Sequence, residues 1–264
     1  MRKTLVIAEA GSCHDGSFDK ALDLVDAAKE CGADAVKFQF WSDADKLAQN
    51  RSAGKYRDIY RKYKVPDGWL QPLSDHCAKA GIEFACTVYL AEDIAYVSPY
   101  VRRFKVSSFE SLDSRFVKSH LPYKKPIIIS TGMCSIDDLR QYKWIGGDIS
   151  FLHCVSAYPA PMEQLNLAAI GTMARETGRP CGYSDHSTSP LTGALAVMAG
   201  ASIIEAHLSL GETSRDNPDF AHARTPGMFK LYTRYIRDAE KAAGSNGKYK
   251  QSCEDEMSRY RVIS

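Results

Sequence analysis

Short apolar runs alternate along the chain with longer segments of helical periodicity. The runs occupy residues 4–10, 34–40, 82–88, 103–108, 126–131, 149–154, 180–184 and 202–207. Most of them are apolar at nearly every position instead of at every second one, which is typical of parallel strands covered on both faces. The pattern therefore predicts eight buried strands separated by helices.

The segments between the runs carry residues that commonly start and end helices. Ser17 can cap a helix that ends before Gly32, and a second helix is predicted over residues 66–81. Further boundaries are expected at Ser135 with Asp138, at Ser189-Pro190 and Thr225-Pro226, and at Gly178, Gly200 and Gly244.

Eight strand and helix units in one chain predict an α/β fold, a single (β/α)8 TIM barrel over residues 1–244. Residues 245–264 are polar and lack periodicity, which predicts a C-terminal tail. Residues 41–65 break the even spacing with seven basic residues and three acids after the second strand. This insert is either a solvated helix or, because loops after barrel strands lie on the catalytic face, a lid over the site.

Composition excludes several classes of protein. The 264 residues are 44% hydrophobic and 25% charged, which is typical of a globular chain. The 34 Lys and Arg nearly balance the 32 Asp and Glu, so no broad basic field for nucleic acid is expected. The sequence has no apolar run long enough to span a membrane and only a short one before Glu9, so neither a membrane segment nor a signal peptide is expected. The eight cysteines form no CxxC pair and are interpreted as free thiols in the cytoplasm.

Polar side chains lie at the ends of nearly all the predicted strands, where barrels carry their chemistry. Lys37 and Lys105 stand inside otherwise apolar strands, and buried ammonium groups need an anion. Hydroxyl donors are available around them, at Thr87, Ser108, Ser130 and Ser184. This combination predicts a phosphate or carboxylate pocket.

His186 and His207 end neighbouring strands and can bind one divalent metal ion, with Asp185 and Glu205 beside them as ligands or supporting carboxylates. The other histidines considered, which are interpreted as surface or structural residues, are His14, His76, His120 and His222. The sequence contains no GxSxG, GxxxxGKS or GxGxxG motif, which disfavours covalent hydrolysis and mononucleotide binding.

At these positions the sequence resembles the sialic acid synthase family, also called N-acetylneuraminate synthases, which condense phosphoenolpyruvate with an N-acetylhexosamine. The matching stretches are IAEAGSCHDG (7–16), GADAVKFQ (32–39), FKVSSFE (104–110), KPIIISTGM (125–133), LHCVSAYPAP (152–161), GYSDHS (182–187) and IIEAHLSL (203–210). These stretches follow one another in the same order as in the family, and the resemblance extends over nearly the whole chain. The loop 211–224 follows the family's Gly-Pro-Asp-His pattern only loosely.

The resemblance implies a divalent metal ion, Mn²⁺ with Mg²⁺ or Co²⁺ as alternatives, bound by His186 and His207. It implies a phosphoenolpyruvate pocket built from Lys37, Thr87, Lys105, Ser108, Ser130, Ser156 and Ser184. In the implied reaction C3 of phosphoenolpyruvate attacks the acceptor aldehyde and water adds at C2. Loss of phosphate then gives a 3-deoxy-2-keto acid. By position, Glu9 would orient or protonate the acceptor and Glu110 would handle the water, while Tyr158 and Asp219 would contact acceptor hydroxyls.

Family members usually continue into a C-terminal antifreeze-like domain, which supplies an arginine to the N-acetyl group of the acceptor. We expect this chain to be the catalytic barrel only, acting as a homodimer, and whether a separate lid domain protein joins it stays open. Local cations that could replace the arginine are Arg51, Lys55, Arg57, Arg215 and Arg224. They would favour an acidic or phosphorylated acceptor over N-acetylmannosamine.

Two other functions remain open at this stage. The same lysines, histidines and carboxylates would serve a class II type aldolase or isomerase acting on a sugar phosphate. The third hypothesis is a non-catalytic barrel that binds a sugar or phosphate. Release of phosphate that depends on phosphoenolpyruvate would separate the first hypothesis from both.

Overall fold

The computed structural model describes residues 3–244 and 247–262. Eight parallel strands close into a barrel in which each strand pairs with its neighbours in chain order and β8 returns to β1. The strands are β1 (Leu5–Glu9), β2 (Ala35–Phe40), β3 (Glu83–Val88), β4 (Phe104–Val106), β5 (Ile127–Ser130), β6 (Ile149–His153), β7 (Cys181–Asp185) and β8 (Ile203–His207). The predicted (β/α)8 barrel is confirmed, with each strand inside its predicted run or within one residue of it.

Helices surround this barrel. They are α1 (Phe18–Glu30), α2 (Ala44–Asn50), α3 (Arg57–Lys62), α4 (Leu70–Ala80), α5 (Asp93–Val97), α6 (Ser114–Lys118), α7 (Ile136–Leu139), α8 (Ala169–Thr177), α9 (Thr192–Met198) and α10 (Pro226–Ala243). In this part of the chain none of the helices is long and apolar enough to cross a membrane.

Most of the predicted helix boundaries are confirmed. Ser17 accepts a hydrogen bond from the Lys20 amide at the start of α1, and Ser135 with Asp138 forms a capping box at α7. Pro226 is the first residue of α10 as predicted. Pro190 is not a helix start, because α9 begins two residues later, at Thr192.

The strands alternate their side chains between the barrel interior and the surrounding helices. At the amino-terminal end the interior is closed by an apolar cluster of Ile7, Ala35, Ile128, Leu152 and Ile203. Two residues further along β2, β5 and β8 the inward positions become polar, at Lys37, Ser130 and Glu205. The alternation thus gives a barrel with an apolar floor and a polar mouth.

The outward positions pack against the helices and form the main core. Its largest fully buried side chains include Phe38, Phe104, Phe151 and Tyr183 from the strands, with Phe229 and Tyr232 from α10. Beyond Gly244, residues 247–262 contain two single-turn 3₁₀ helices, Ser252–Glu254 and Met257–Tyr260, and are mostly exposed. The tail therefore adds little to the core around the site.

Candidate active site

A cavity of about 490 Å³ opens at the carboxyl ends of the strands. All the site residues predicted from the sequence line it except Glu110: Glu9, Lys37, Thr87, Lys105, Ser108, Ser130, Ser156, Tyr158, Ser184, His186, His207 and Asp219. The cavity is large enough to hold a small anion together with a sugar.

Lys37 lies deep in this cavity and is held by two carboxylates and a hydroxyl. Its Nζ is 2.6 Å from Glu9 Oε2 and 3.5 Å from Glu205 Oε2, and it donates to Thr87 Oγ1 at 2.7 Å. Burial opposes the charge on Lys37, but Glu205 and Glu9 outweigh it and raise the pKa of the ammonium group. Lys37 is therefore charged at neutral pH.

Lys105 enters the same cavity from β4, and its charge is compensated less well than that of Lys37. Its Nζ donates to Ser130 Oγ at 2.7 Å and lies 3.7 Å from Glu205 Oε1, which also accepts from Ser184 Oγ at 3.0 Å. Burial lowers the pKa of Lys105, Glu205 partly offsets it, and the neighbouring charge of Lys37 lowers it further. A bound anion would relieve both effects.

Next to Lys105 a small pocket depends on the absence of a side chain at Gly132. The Gly132 amide donates to Ser108 Oγ at 3.0 Å. A Cβ at this position would stand 2.2 Å from Ser156 Oγ and 3.0 Å from both Ser108 Oγ and Cys154 Sγ. Ser156 Oγ is buried and has no hydrogen-bond partner within the described residues. Hydroxyls, a lysine and a cradle without a side chain form a suitable environment for a phosphate group.

Histidines gather on the other side of the cavity. The ring centroids of His207 and His222 are 4.4 Å apart, and those of His186 and His207 are 5.9 Å apart. His186 Nδ1 lies 2.7 Å from the carbonyl oxygen of Val155, and this contact orients the ring. The ring of Tyr158 packs against His186 at an interplanar angle of 40°, with the ring centroids 4.3 Å apart.

The histidines differ in protonation. Burial lowers the pKa of His186 and of His222 to about 4 and about 3, with His207 as a further cause in both. Burial also opposes charge on His207, but the Asp219 carboxylate outweighs it and raises the pKa of that ring. His186 and His222 are therefore neutral at pH 7 and can offer nitrogen lone pairs.

The residues around His207 suit a divalent cation. Donor atoms of His207, Asp219 and His222 lie within 4.8 Å of one another. His207 Nδ1 and both ring nitrogens of His222 are buried without hydrogen-bond partners among the described residues. Imidazole nitrogens and a carboxylate are ligands that Zn²⁺, Co²⁺ and Mn²⁺ accept.

The two carboxylates predicted to assist the histidines have other partners. Asp185 points away from the cavity, where it accepts from Arg224 Nη2 at 2.7 Å and from Tyr232 Oη at 2.9 Å. The prediction that Asp185 assists the histidines is therefore wrong. Side chains alternate along a strand, so Asp185 faces the helices because Ser184 faces inward. Glu205 faces inward but lies between Lys37 and Lys105.

The insert after β2 lies over the cavity, which agrees with its predicted place on the catalytic face. Among its residues, those that line the cavity are Trp41, Leu47, Arg51, Tyr56, Ile59, Tyr60 and Tyr63. Arg51 donates two hydrogen bonds to Glu110, from Nε to Oε1 at 2.8 Å and from Nη2 to Oε2 at 3.0 Å. The guanidinium carbon is 4.6 Å from the ring centroid of Phe109. Glu110 consequently sits behind Arg51 instead of lining the cavity.

Three of the five cations that could replace the family's arginine form ion pairs within the chain. Arg57 Nε is 3.2 Å from Asp45 Oδ1, and Lys55 Nζ lies over the ring of Tyr56. Arg224 is buried against Asp185, and Arg215 is exposed and does not line the cavity. The preference for an acidic acceptor stays a prediction, although ion pairs within the chain already compensate three of the cations on which it rests.

Comparison with known proteins places the chain in a family. A profile of the NeuB family matches residues 24–248, and N,N'-diacetyllegionaminic acid synthase of Legionella pneumophila is 37% identical over 268 residues, which cover 92% of this chain and 74% of that protein. The chain belongs to the NeuB family. The sialic acid synthase resemblance is thereby confirmed.

Other relatives in the NeuB family agree. The human N-acetylneuraminate-9-phosphate synthase is 30% identical over 274 residues, covering 94% of this chain and 74% of that protein. The solved structure of N-acetylneuraminic acid synthetase from Leptospira borgpetersenii, in complex with citrate, superposes with a TM-score of 0.88 at 26% identity. That alignment covers 98% of this chain and 92% of the other.

Sequence reasoning missed several residues that line the cavity of this NeuB-family chain, among them Ser12, Tyr89 and His222. His222 was interpreted as a surface or structural histidine because it falls in a loop, yet it is 1% exposed and lines the cavity. Its only sequence signal is the spacing Asp219-x-x-His222, which places two ligand-type side chains near each other. The path of the loop between β8 and α10 could not be read from periodicity.

Proposed function

We propose that the chain condenses phosphoenolpyruvate with the aldehyde of an aldose, giving a 3-deoxy-2-keto acid and inorganic phosphate. The observation that carries this proposal is the deep pair of lysines beside the Gly132 cradle. Lys37, Lys105 and the hydroxyls of Ser108, Ser130 and Ser156 form an anion pocket inside a cavity with room for a second substrate. Phosphoenolpyruvate supplies both a phosphate and a carboxylate to such a pocket.

In the proposed reaction a bond forms between C3 of phosphoenolpyruvate and the aldehyde carbon of the acceptor. Water adds at C2, and the phosphate leaves with the bridging oxygen, so that water, donor and acceptor account for all product atoms. Lys105 and Ser130 would hold the phosphate as its charge grows on departure. Lys37 would hold the carboxylate end or the phosphate, with its charge maintained by Glu9 and Glu205.

Glu9 is the proposed group for the acceptor. Its Oε1 accepts from Gln39 Nε2 at 2.6 Å, and its Oε2 contacts Lys37. These two contacts fix the carboxyl group at the cavity wall, where it can orient the acceptor or exchange a proton with the aldehyde oxygen. Tyr158 and Asp219 are proposed contacts for acceptor hydroxyls, since both line the cavity.

The proposal includes a divalent cation, Mn²⁺ or a similar ion, with His186 and His207 as protein ligands. When bound, the cation would polarise oxygen atoms of the substrates and add positive charge. The charges of Lys37 and Lys105 are already matched by Glu9 and Glu205. A trianionic donor would therefore bind better with an additional cation in the cavity.

We propose that the enzyme acts in carbohydrate biosynthesis in the cytoplasm. We further propose that it is a homodimer whose catalytic part is the barrel over residues 1–244.

The test is a panel of aldoses and simple aldehydes with phosphoenolpyruvate and Mn²⁺, read by phosphate release and product mass. Phosphate release that requires both substrates is expected. Cleavage or isomerisation of a sugar phosphate without phosphoenolpyruvate would instead support the class II aldolase or isomerase, and binding without turnover would support a non-catalytic barrel.

A further inference from the structure

His222 is a buried side chain to which the sequence assigned no role. It is 1% exposed, and neither ring nitrogen has a hydrogen-bond partner in the described part of the chain. A neutral imidazole normally keeps one donor and one acceptor satisfied when it is buried, because each unpaired group loses its contact with water. His222 therefore lacks the partners that a purely structural histidine would have.

The open nitrogens of two histidines face one carboxylate. His222 Nε2 is 3.7 Å from Asp219 Oδ1, and His207 Nδ1 is 3.6 Å from Asp219 Oδ2. Both separations are too long for good hydrogen bonds. They are close to the spacing of about 3–4 Å expected between donor atoms that each stand about 2.0–2.2 Å from one shared ion.

Asp219 is held in place for this role by the loop that follows β1. The amide and Oγ of Ser12 each donate to Asp219 Oδ2 at 2.7 Å. Gly11 lets the carboxylate approach, since a Cβ there would stand 2.2 Å from Asp219 Oδ2 and 3.3 Å from His207 Nδ1. Gly11 also has a φ of +50°, which favours glycine. The carboxylate is thus fixed before any ion arrives.

We propose that His207, Asp219 and His222 together bind one divalent cation, so that the pair His186 and His207 is not the complete donor set. This inference rests on the proposed function for the presence of a cation in the cavity. Two imidazole nitrogens and one carboxylate oxygen favour Zn²⁺, Co²⁺ and Mn²⁺ over Mg²⁺, which prefers oxygen ligands. His186 stands beside this set, with its ring centroid 6.2 Å from that of His222.

Metal affinity measured without either substrate tests this proposal. Metal-stripped protein would be titrated with Zn²⁺ and Co²⁺ by calorimetry, comparing the wild type with His222→Ala and His222→Gln. The matched control is His76→Ala, since His76 pairs with Asp26 near the surface and does not line the cavity. Loss of a ligand should weaken binding by about 10- to 100-fold or more, whereas the control should bind as the wild type does. The absorption spectrum of bound Co²⁺ should also change in both His222 variants.

The bulkier His222→Gln keeps the proposal testable if the alanine variant folds poorly, and thermal unfolding of each variant reports its folding. Wild-type affinity and an unchanged Co²⁺ spectrum in a folded His222 variant would overturn the proposal. In that case His186→Ala should weaken metal binding, and His186 and His207 would be the protein ligands of the cation. Because neither substrate is present, absence of condensation would count against the proposed function without affecting this result.

Discussion

At the scale of single residues, Lys37 and Lys105 are both buried, yet their pKa values shift in opposite directions. Lys37 pairs with the carboxylates of Glu9 and Glu205. Lys105 is 3.7 Å from Glu205, and the positive charge of Lys37 lowers its pKa further. Lys105 is therefore the cation that gains most from a bound phosphate.

Replacing Lys105 with Met should raise the KM for phosphoenolpyruvate by about 10- to 100-fold, because a charge-assisted hydrogen bond is worth about 1.5–3 kcal/mol. Steady-state kinetics with phosphoenolpyruvate as the varied substrate would measure the change. Lys118→Met, which removes an exposed lysine outside the cavity, is the matched control. An unchanged KM in Lys105→Met would contradict the assignment of the anion pocket.

Gly132→Ala tests the same pocket by shape instead of charge. The added Cβ would stand 2.2 Å from Ser156 Oγ, so the pocket must lose space that a phosphate would use. We expect the affinity for inorganic phosphate and phosphoenolpyruvate to fall by about tenfold or more, the equivalent of one lost charge-assisted contact. Gly146→Ala is the control, since nothing lies within 4 Å of a Cβ at that position. Equal phosphate binding by the two variants would argue against the cradle.

At the scale of the elements, Asp34 joins three parts of the barrel at its amino-terminal end. It accepts from the Val6 amide of β1 at 2.9 Å and from Arg237 Nη2 of α10 at 2.6 Å, and its other oxygen pairs with Lys3. Burial raises the pKa of this carboxyl, but the contacts with Lys3, Val6 and Arg237 outweigh it and hold the pKa below its ordinary value. The ionised form therefore stabilises the folded chain.

Asp34→Asn should lower the free energy of unfolding by about 1–3 kcal/mol at pH 7, because hydrogen bonds to a charged group are lost. A lowered folded pKa means that the stabilisation is present at neutral pH and disappears as the pH falls below about 4. Denaturant unfolding at pH 7 and at pH 3 should show the difference shrinking in acid. Asp58→Asn removes a carboxylate that is 94% exposed and serves as the control. A difference that grew in acid would refute this linkage.

The elements also explain which features could be predicted from sequence. Short runs that are apolar at nearly every position specify buried parallel strands, so the barrel and the polar strand ends that hold Lys37 and Lys105 were predictable. Alternation along β7 could also have placed Asp185 outward, opposite to Ser184. His222 could not be predicted, because the loop between β8 and α10 has no periodicity, and its path depends on contacts such as Ser12 with Asp219. The Arg51 and Glu110 pair likewise depends on how the insert folds back over the barrel.

At the scale of the whole molecule, the cavity is built from side chains at the ends of the strands that also close the barrel. A ligand bound there would contact side chains from several strands and should stabilise the barrel as one unit. Phosphoenolpyruvate at about 100 times its Kd should add about 2.7 kcal/mol and raise the Tm by about 5–10 °C. Differential scanning calorimetry would measure this shift, which should be much smaller for Lys105→Met at the same concentration. Equal shifts for both proteins would place the binding elsewhere.

In the proposed reaction phosphate leaves by cleavage of the carbon–oxygen bond at C2, after the new carbon–carbon bond has formed and water has added. The most direct measurement is the reaction with phosphoenolpyruvate and an accepted aldose in water labelled with ¹⁸O, followed by mass spectrometry of the released phosphate and of the keto acid. We predict unlabelled phosphate, released only when the acceptor is present, together with one product that contains the carbon atoms of both substrates. Phosphate carrying ¹⁸O, or released without an acceptor, would contradict the proposed function.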